Sequence, residues 1–449
     1  MKNKSLFFIL FFQITLSLYV CSESVGSGLY LLYSILIMLL LVLVFGKIKS
    51  SFLIVITVLF VLGNWLKITI HKIFKYPYIE PNGGFYDSDL LWDSYYLYSI
   101  AITVGFILFT LFLYSLPNKK TNNLMYCNGR HVNWISGKAF SWSIAFVFFL
   151  YIANAFFGFF RIGVARDLYL PFGLDAPATF LISIGAPVLL AYFTTRRCIT
   201  VGRLSNKMLF IIALLSLFAS ITIFSRSYAL LIMLPIIFGL NKSLSVNNYL
   251  ANNKNVFIYV GLTIVATLIL VSMVRIITYG QGVISQESLN IYFLETVGLV
   301  FDRWIGAESV MTAVMSNASS ELFFKMLAES PQSGVNGIYQ NLSGSHYVAL
   351  DNMTFLTLPG FFGILTFSGN YALIVTGVVL MLLLGFLVEK LINNTFKGYF
   401  AIEYFISAAI AYHYTQMVYP RLFIPFIIQM IFFILFFYFI LFKVRVKLS

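Results

Sequence analysis

The sequence predicts an all-α polytopic membrane protein, and three observations lead to that fold class. Of the 449 residues, 60% are hydrophobic and only 10% are charged, which is too little charge to cover a soluble protein of this length. Apolar runs of about 20 residues recur along the chain, and this is the length of helix that crosses a bilayer core. The short alternating segments of a membrane β-barrel are not seen. We therefore expect about 12 transmembrane helices.

The expected spans follow the apolar runs in chain order. The first run, after Lys2 and Lys4, resembles a signal peptide but has no small-residue cleavage site, so we expect an uncleaved span. The twelve spans are expected at about 1–20, 27–46, 51–70, 94–116, 139–160, 175–193, 208–224, 227–240, 256–274, 361–388, 399–417 and 422–442. The chain then divides into nine spans over 1–274, a large loop over 275–360, and three spans with a basic tail over 361–449.

The large loop, 275–360, is the longest segment that does not fit a membrane span. Within it, 320–329 has the pattern of a short amphipathic helix with Ser320 as a candidate N-cap, and such a helix suits the membrane surface. The apolar side of this helix would consist of Leu322, Phe323, Met326 and Leu327. Directly after the loop, 361–370 either begins the tenth span or forms a re-entrant piece, in which case the span begins near Tyr371.

The distribution of charge predicts that both termini lie inside and that the large loop faces outward. With the N-terminus inside, most of the 29 lysines and arginines fall on the inner side and most of the 16 acids on the outer side, as basic residues orient membrane proteins. This bias, with attraction to an anionic inner leaflet, explains the net charge of +13 without nucleic acid. The acidic residues and the remaining basic residues are expected at the outer surface. We expect no internal repeat of the kind found in transporters, because the two halves of the chain do not match.

Six arginines on the outer side are not explained by the orienting rule. They are Arg161, Arg166, Arg226, Arg275, Arg303 and Arg421. The guanidinium group presents a planar fork of donors that matches phosphate oxygens, so these side chains are candidates for binding a pyrophosphate. The alternative for each is pairing with a neighbouring acid or, for Arg421, snorkelling to the head groups. Arg226 is the strongest candidate, because it lies between two apolar spans with no acid nearby.

Four side chains are candidates for a catalytic base. His346 lies in the large loop and His413 near the outer end of span eleven, and an imidazole is a base near neutral pH. Asp302 and Glu308 compete for the same role. A lone loop histidine is more often simply solvated, which is the alternative for His346. The chain has no metal-ligand spacing and no nucleotide-binding motif, so we expect neither a metal nor a cofactor.

Two short segments resemble a known family. FSRSYALLIMLPIIFGL has an arginine opening an apolar helix, and LPGFFGILTFSGN follows the large loop. With about twelve spans and one late outward loop, these resemble the Wzy-type O-antigen polymerases, also called oligosaccharide repeat unit polymerases. The resemblance implies a glycosyltransferase in the bacterial inner membrane, with its active site facing the periplasm. It would join repeat units carried on undecaprenyl pyrophosphate into O-antigen or capsular polysaccharide.

The same resemblance implies the partners and the chemistry. The partners would be the undecaprenyl-pyrophosphate-linked glycan, membrane lipids and a chain-length regulator protein, with no nucleic acid. Arginines would stabilise the departing pyrophosphate, and a base would activate the acceptor hydroxyl. Two alternatives stay open: an O-antigen ligase or other lipid-linked-sugar glycosyltransferase, and a lipid-linked glycan flippase or transporter. A transporter predicts buried charge pairs and helices broken at matching places in two halves.

Overall fold

The structure of this chain is a computed structural model. It describes residues 2–23, 27–74, 89–116, 137–162, 170–171, 174–201, 204–243, 254–279, 306–329, 337–343, 359–417 and 419–439. Within these ranges every regular element is a helix, as the sequence predicts. The first half contains α1 (Lys2–Glu23), α2 (Ser27–Lys47), α3 (Ser51–Phe60), α4 (Lys67–Phe74), α5 (Asp89–Ser115), α6 (Gly137–Phe157), α7 (Asp175–Phe180), α8 (Ala186–Val201) and α9 (Asn206–Ile223).

The second half begins with long helices, continues with four short ones and ends with three long ones. It contains α10 (Tyr228–Ser243), α11 (Lys254–Tyr279), α12 (Ala307–Met315), α13 (Ser320–Ala328), α14 (Ile338–Ser343), α15 (Gly360–Thr366), α16 (Tyr371–Thr395), α17 (Phe400–Thr415) and α18 (Phe423–Tyr438). A 3-10 turn, Pro420–Leu422, leads directly into α18. Two π-helical turns, Val61–Leu66 and Leu181–Gly185, join α3 to α4 and α7 to α8.

Nine helical segments in the described part of the chain are long and apolar enough to cross a membrane. Two shorter apolar helices, Phe7–Cys21 and Tyr228–Lys242, accompany them. Large apolar side chains are exposed along these helices, for example Trp142 at 78% and Phe432 at 69%. Such exposure is unfavourable in water and is normal on a helix that faces lipid. The helices therefore indicate a multi-pass membrane protein.

Three predicted boundaries differ from the structure. The tenth long helix begins at Tyr371, and the preceding residues form the separate helix α15, so the alternative in which the span begins near Tyr371 is the correct one. The sixth segment continues to Val201, well past the predicted end near 193. The predicted amphipathic helix is present as α13, but its N-cap is Ser319, whose hydroxyl accepts a hydrogen bond from the backbone N–H of Leu322. Ser320 is instead the first helical residue.

The chain folds as two compact units. Unit 1 consists of Met1–Lys119, Gly298–Val388 and Ile410–Ile428, and unit 2 consists of Lys120–Val297, Glu389–Ala409 and Gln429–Ser449. In unit 1, α5 packs on α2, and the short helix α12 packs against α5, α14 and α15. In unit 2, α9 is central and contacts α6, α10 and α11. Both units thus bury part of each helix and leave the rest exposed.

Aromatic side chains form the core of unit 1. The rings of Phe60, Phe106 and Phe362 contact one another with centroids 4.9 to 5.7 Å apart. Phe362 belongs to α15, so the core contains residues that follow the large loop as well as residues of the early spans. Six residues of α12 are also buried. Helix α12, which lies within the segment predicted as an outward loop, is therefore packed inside unit 1.

Candidate functional site

A buried ion pair joins two distant parts of the chain in unit 1. The Lys67 ammonium contacts the Oε1 carboxylate oxygen of Glu308. The Lys67 side chain is fully buried, and Glu308 retains 12% exposure. Lys67 is the first residue of α4, and Glu308 lies in the first turn of α12, where the helix dipole favours a negative charge. A charge buried so deeply requires a partner, and the two residues supply it to each other.

The local backbone brings these two residues together. Gly306, which precedes α12, has a φ of 151°, a conformation that is strained for any residue with a side chain. A Cβ atom at this position would also lie only 2.4 Å from the side-chain nitrogen of Asn64. Asn64 belongs to the π-helical turn that ends just before Lys67. The close approach of this turn to Gly306 therefore sets the approach of Lys67 to Glu308.

A narrow cleft lies beside this contact. It is lined by Phe60, Asn64, Gly306, Pro359, Gly360, Phe362, Gly363 and Thr415. The lining is mainly apolar, and Asn64 contributes one of its few polar side chains. Isolated π-helical turns occur frequently at functional sites, because the wider turn exposes backbone groups and redirects side chains. The cleft, the π-helical turn and the ion pair together mark this part of unit 1 as a candidate site.

Three polar side chains follow one face of the same helical segment. Asn64, Lys67 and His71 are spaced by three and four residues and are all at most 2% exposed. This spacing places them on one side of a helix. The segment 51–74 is apolar enough to cross a membrane, so these residues form a polar stripe inside a candidate span. Ionisable residues in such a position are rare and have a functional role by default.

The arginine-bearing segments of unit 2 are held together by Asn154. Its amide nitrogen donates to the carbonyl oxygens of Phe160 (3.0 Å) and Thr222 (3.1 Å). Its amide oxygen accepts from the backbone N–H of Phe160 at 2.9 Å. The backbone N–H of Ile162 also donates to the carbonyl of Ile223 at 2.8 Å. These bonds tie the segment after α6, which contains Arg161, to the C-terminal end of α9.

Two of the predicted arginines, Arg161 and Arg226, belong to the two segments that these hydrogen bonds join. The Arg161 guanidinium lies 5.3 Å from the centroid of the Phe224 ring and donates to the carbonyl of Ala155 at 2.7 Å. Phe224 caps α9 in the left-handed conformation, with φ 61° and ψ 33°, and Arg226 follows two residues later. Both arginine side chains are half-buried. We call the group of Arg161, Phe224, Ser225, Arg226 and Ser227 the arginine end of unit 2.

The arginine end has the chemistry of an anion site. Two guanidinium groups supply positive charge, and the hydroxyls of Ser225 and Ser227, 3.3 Å apart, supply further hydrogen-bond donors. A bulky residue in the left-handed conformation costs about 1–3 kcal/mol, and such backbone strain is concentrated at functional sites. Phe224 adopts this conformation within a turn that connects two apolar helices. Guanidinium and hydroxyl groups are the donors that proteins use to bind an oxyanion such as a phosphate group.

The remaining predicted residues divide into two groups. Among the described residues, His413 lies on α17 with its ring centroid 4.2 Å from that of Phe426, and Arg421 is exposed in the 3-10 turn before α18. Both belong to unit 1, as Glu308 does. Arg275 lies on α11, but its side chain is outside the described residues. The other four also lie outside them, namely Arg166, Asp302, Arg303 and His346.

Three buried charged residues were not predicted to be buried. Lys67 lies inside the expected third span, and a lysine within an apolar run was a signal that the sequence already contained. Glu389 and Glu403, expected at the inner surface, are only 2% and 6% exposed in α16 and α17. The prediction that charges gather at the surface is thus wrong for these three residues. In the described ranges, no group of three or more histidine, cysteine or acidic residues could hold a metal ion.

Comparison of the chain with protein-family models, with curated proteins and with solved structures finds no match.

Proposed function

We propose that this protein polymerises oligosaccharide repeat units carried on undecaprenyl pyrophosphate into O-antigen or capsular polysaccharide. The arginine end of unit 2 is the observation that carries the proposal. Arg161 and Arg226 come from separate segments, and the Asn154 hydrogen bonds hold these segments together. A pyrophosphate leaving group needs positive charge that is in place before the bond breaks. Two arginines on a fixed backbone meet this requirement.

The reaction is a transfer of a glycosyl group without a nucleotide sugar. A hydroxyl oxygen of the acceptor repeat unit bonds to the anomeric carbon of the donor glycan. The bond from that carbon to the pyrophosphate oxygen breaks, and its electron pair leaves with undecaprenyl pyrophosphate. The hydroxyl proton passes to a basic side chain. The candidate bases for this proton are His346, His413, Asp302 and Glu308.

The proposal includes twelve spans with both termini inside and the large loop facing the periplasm of a bacterial inner membrane. The nine long apolar helices, the two shorter apolar helices and α17 correspond in chain order to the twelve expected spans. The carbonyl of Phe159, two residues before Arg161, accepts a hydrogen bond from the Thr179 hydroxyl. Arg197 lies 18 residues after Thr179 in the same helical segment, which corresponds to about 27 Å along the helix axis. Basic residues such as Arg197 at that other end fit an inner face.

The proposal is tested with the purified chain in liposomes and a lipid-pyrophosphate-linked repeat unit, with products resolved as a ladder on a gel. Arg226→Ala removes one guanidinium from the arginine end, and loss of a hydrogen bond to a charged group costs about 1.5–3 kcal/mol. We therefore expect chain extension to fall about ten- to hundred-fold. Arg226→Lys should recover only part of the activity, because a lysine lacks the planar fork. The control is Arg197→Gln, which changes a half-buried arginine near the C-terminal end of α8.

Deletion of the gene in the source cell separates this proposal from its alternatives. A polymerase leaves a single repeat unit on the lipid core when it is lost. A ligase leaves polymer on the lipid carrier, and a flippase leaves repeat units on the inner face. A complete polysaccharide ladder in the deletion strain would refute all three functions.

A transporter for lipid-linked glycans is the second candidate, because two observations favour it. The Lys67–Glu308 pair and the buried carboxylates of Glu389 and Glu403 lie in or beside membrane segments. The third and sixth segments are each interrupted by a π-helical turn, and one belongs to each unit. Interrupted helices and buried charge pairs are typical of transporters. Accumulation of repeat units on the inner face after deletion would establish this function.

A further inference from the structure

The short helix α13, Ser320–Ala328, is docked on one end of a membrane segment. Its buried side chains, Phe323 and Met326, are 6% and 1% exposed. The elements that α13 packs against are the 3-10 turn Pro420–Leu422 and helix α15, all within unit 1. This turn is also the beginning of the candidate membrane span Pro420–Tyr438. Helix α13 therefore lies at the depth where that span ends.

Consecutive side chains of α13 point in three directions, because a helix turns by about 100° per residue. Phe323 faces the protein. Phe324 points about 100° away and is 61% exposed. Lys325 points a further 100° away and pairs with Glu321 at 2.7 Å, and both of these side chains are more than 60% exposed. The helix thus has a docked side, an apolar edge at Phe324 and a charged side.

The charged side of α13 is suited to water. Lys325 hydrogen-bonds to Glu321 and lowers the pKa of that carboxyl below its ordinary value of 4.5. The Glu321 carboxylate therefore stays charged at neutral pH. Phe324, in contrast, is an exposed aromatic side chain, and its ring contacts Phe323 at a centroid distance of 5.5 Å.

The span on which α13 is docked also exposes apolar side chains at its start. Leu422 and Ile424, at the start of that span, are 45% and 66% exposed. Further along the same helix, Ile428 is 61% exposed. In a membrane-spanning helix these side chains face the acyl chains. Arg421 and Tyr419 lie at the same end, and both residue types are typical of the membrane interface.

We propose that α13 is a membrane-surface anchor whose partner is the lipid bilayer. Phe324 inserts into the boundary between head groups and acyl chains, and the Glu321–Lys325 pair remains in water. A surface helix of this kind is buried by about 5–10 Å. The proposal does not depend on the enzymatic function, since it rests on the docking of α13 and on the exposure of its side chains. The anchor would fix this part of the large loop at the membrane surface.

Spin labels on two adjacent residues test the proposal. In a full-length variant without native cysteines, Phe324→Cys and Lys325→Cys are each labelled with a nitroxide and reconstituted in lipid vesicles. Collision with oxygen, which concentrates in lipid, is compared with collision with a water-soluble nickel complex. We expect the label at 324 to favour oxygen and the label at 325 to favour the nickel complex. Each position serves as the control for the other, because they share one helix.

Two results would overturn the proposal. If both labels are equally accessible to the nickel complex, Phe324 lies in water. If the label at 324 is shielded from both reagents, a second copy or another protein covers this edge. A second measurement avoids the cysteine-free background: Phe324→Trp in the otherwise native chain, with brominated lipids as quenchers. We expect brominated lipids to quench the fluorescence that the new tryptophan adds. If that added fluorescence is not quenched, the anchor is refuted.

Discussion

Replacing Lys67 with methionine removes one partner of the buried ion pair while keeping a side chain of similar length. Lys67 is fully buried and Glu308 is 12% exposed, so the remaining carboxylate has little access to water. Leaving one charge of a buried pair without its partner costs about 3–5 kcal/mol. Since Glu308 keeps some exposure, we expect the lower part of this range, about 3–4 kcal/mol. That corresponds to a shift of several hundred-fold in the folding equilibrium.

The double substitution Lys67→Met with Glu308→Met removes both charges and keeps apolar side chains of similar volume. Replacing a buried ion pair with apolar residues is often neutral or stabilising. We therefore expect the double variant to unfold within about 1 kcal/mol of the native chain. The effects of the two single substitutions should then be strongly non-additive, as expected for residues in direct contact.

The assay is denaturant-induced unfolding of the purified chain in detergent micelles, followed by circular dichroism and tryptophan fluorescence. Trp65 is a reporter within unit 1, because it is 3% exposed and its indole N–H donates to the Ser34 hydroxyl at 3.0 Å. The exposed Glu321–Lys325 pair is the control, and its removal should leave the unfolding midpoint unchanged. If Lys67→Met leaves the free energy of unfolding unchanged, the reasoning is refuted. Strict additivity of the unfolding free energies of the two single substitutions would refute it as well.

Two further predictions concern unit 2. Asn154→Ala removes three hydrogen bonds at a fully buried position, so we expect the free energy of unfolding to fall by about 2–4 kcal/mol. It should also weaken the activity assigned to the arginine end, and the two effects are measured by unfolding and by chain extension. The exposed Ser141→Ala on the same helix is its control, and equal effects would contradict this role for Asn154. Gly239→Ala should cost about 1–3 kcal/mol, because its Cβ would lie 2.3 Å from the Cα of Ala401. Gly261→Ala, with open space around it, should be neutral or slightly stabilising in the same unfolding assay, and a tolerated Gly239→Ala would show that the helices separate easily.

Helix positions could be predicted from the sequence because they follow from apolar runs alone. The pair α9 and α10 illustrates this, since two apolar runs interrupted near Arg226 gave both helices within a few residues. The predicted amphipathic helix at 320–329 was also correct, because Phe323 and Met326 recur at helical spacing and are both buried. Local pattern determines such elements, so no long-range information was needed.

The candidate sites could not be predicted in the same way, because they depend on contacts between distant residues. Lys67 and Glu308 belong to different halves of the chain, and nothing in either local sequence identifies the other as its partner. The π-helical turn at Val61–Leu66 has no pattern that distinguishes it from an ordinary apolar helix. Asn154 lies in an apolar run, where its spacing gave no sign that it binds both Phe160 and Thr222. Tertiary packing determines all three features.

The chemistry of the two candidate sites suggests how the two functions can be separated. Arginine keeps its proton under all ordinary conditions, so Arg161 and Arg226 suit stable binding of an anion and not exchange of protons. Ionisable side chains buried within membrane segments are typical of transport pathways, so the Lys67–Glu308 pair is the one to test for a role in transport. The double methionine variant, which should fold, then separates the hypotheses. If repeat units reach the outer face of the membrane but are not joined, Glu308 acts in polymerisation. If they stay on the inner face, the pair acts in transport.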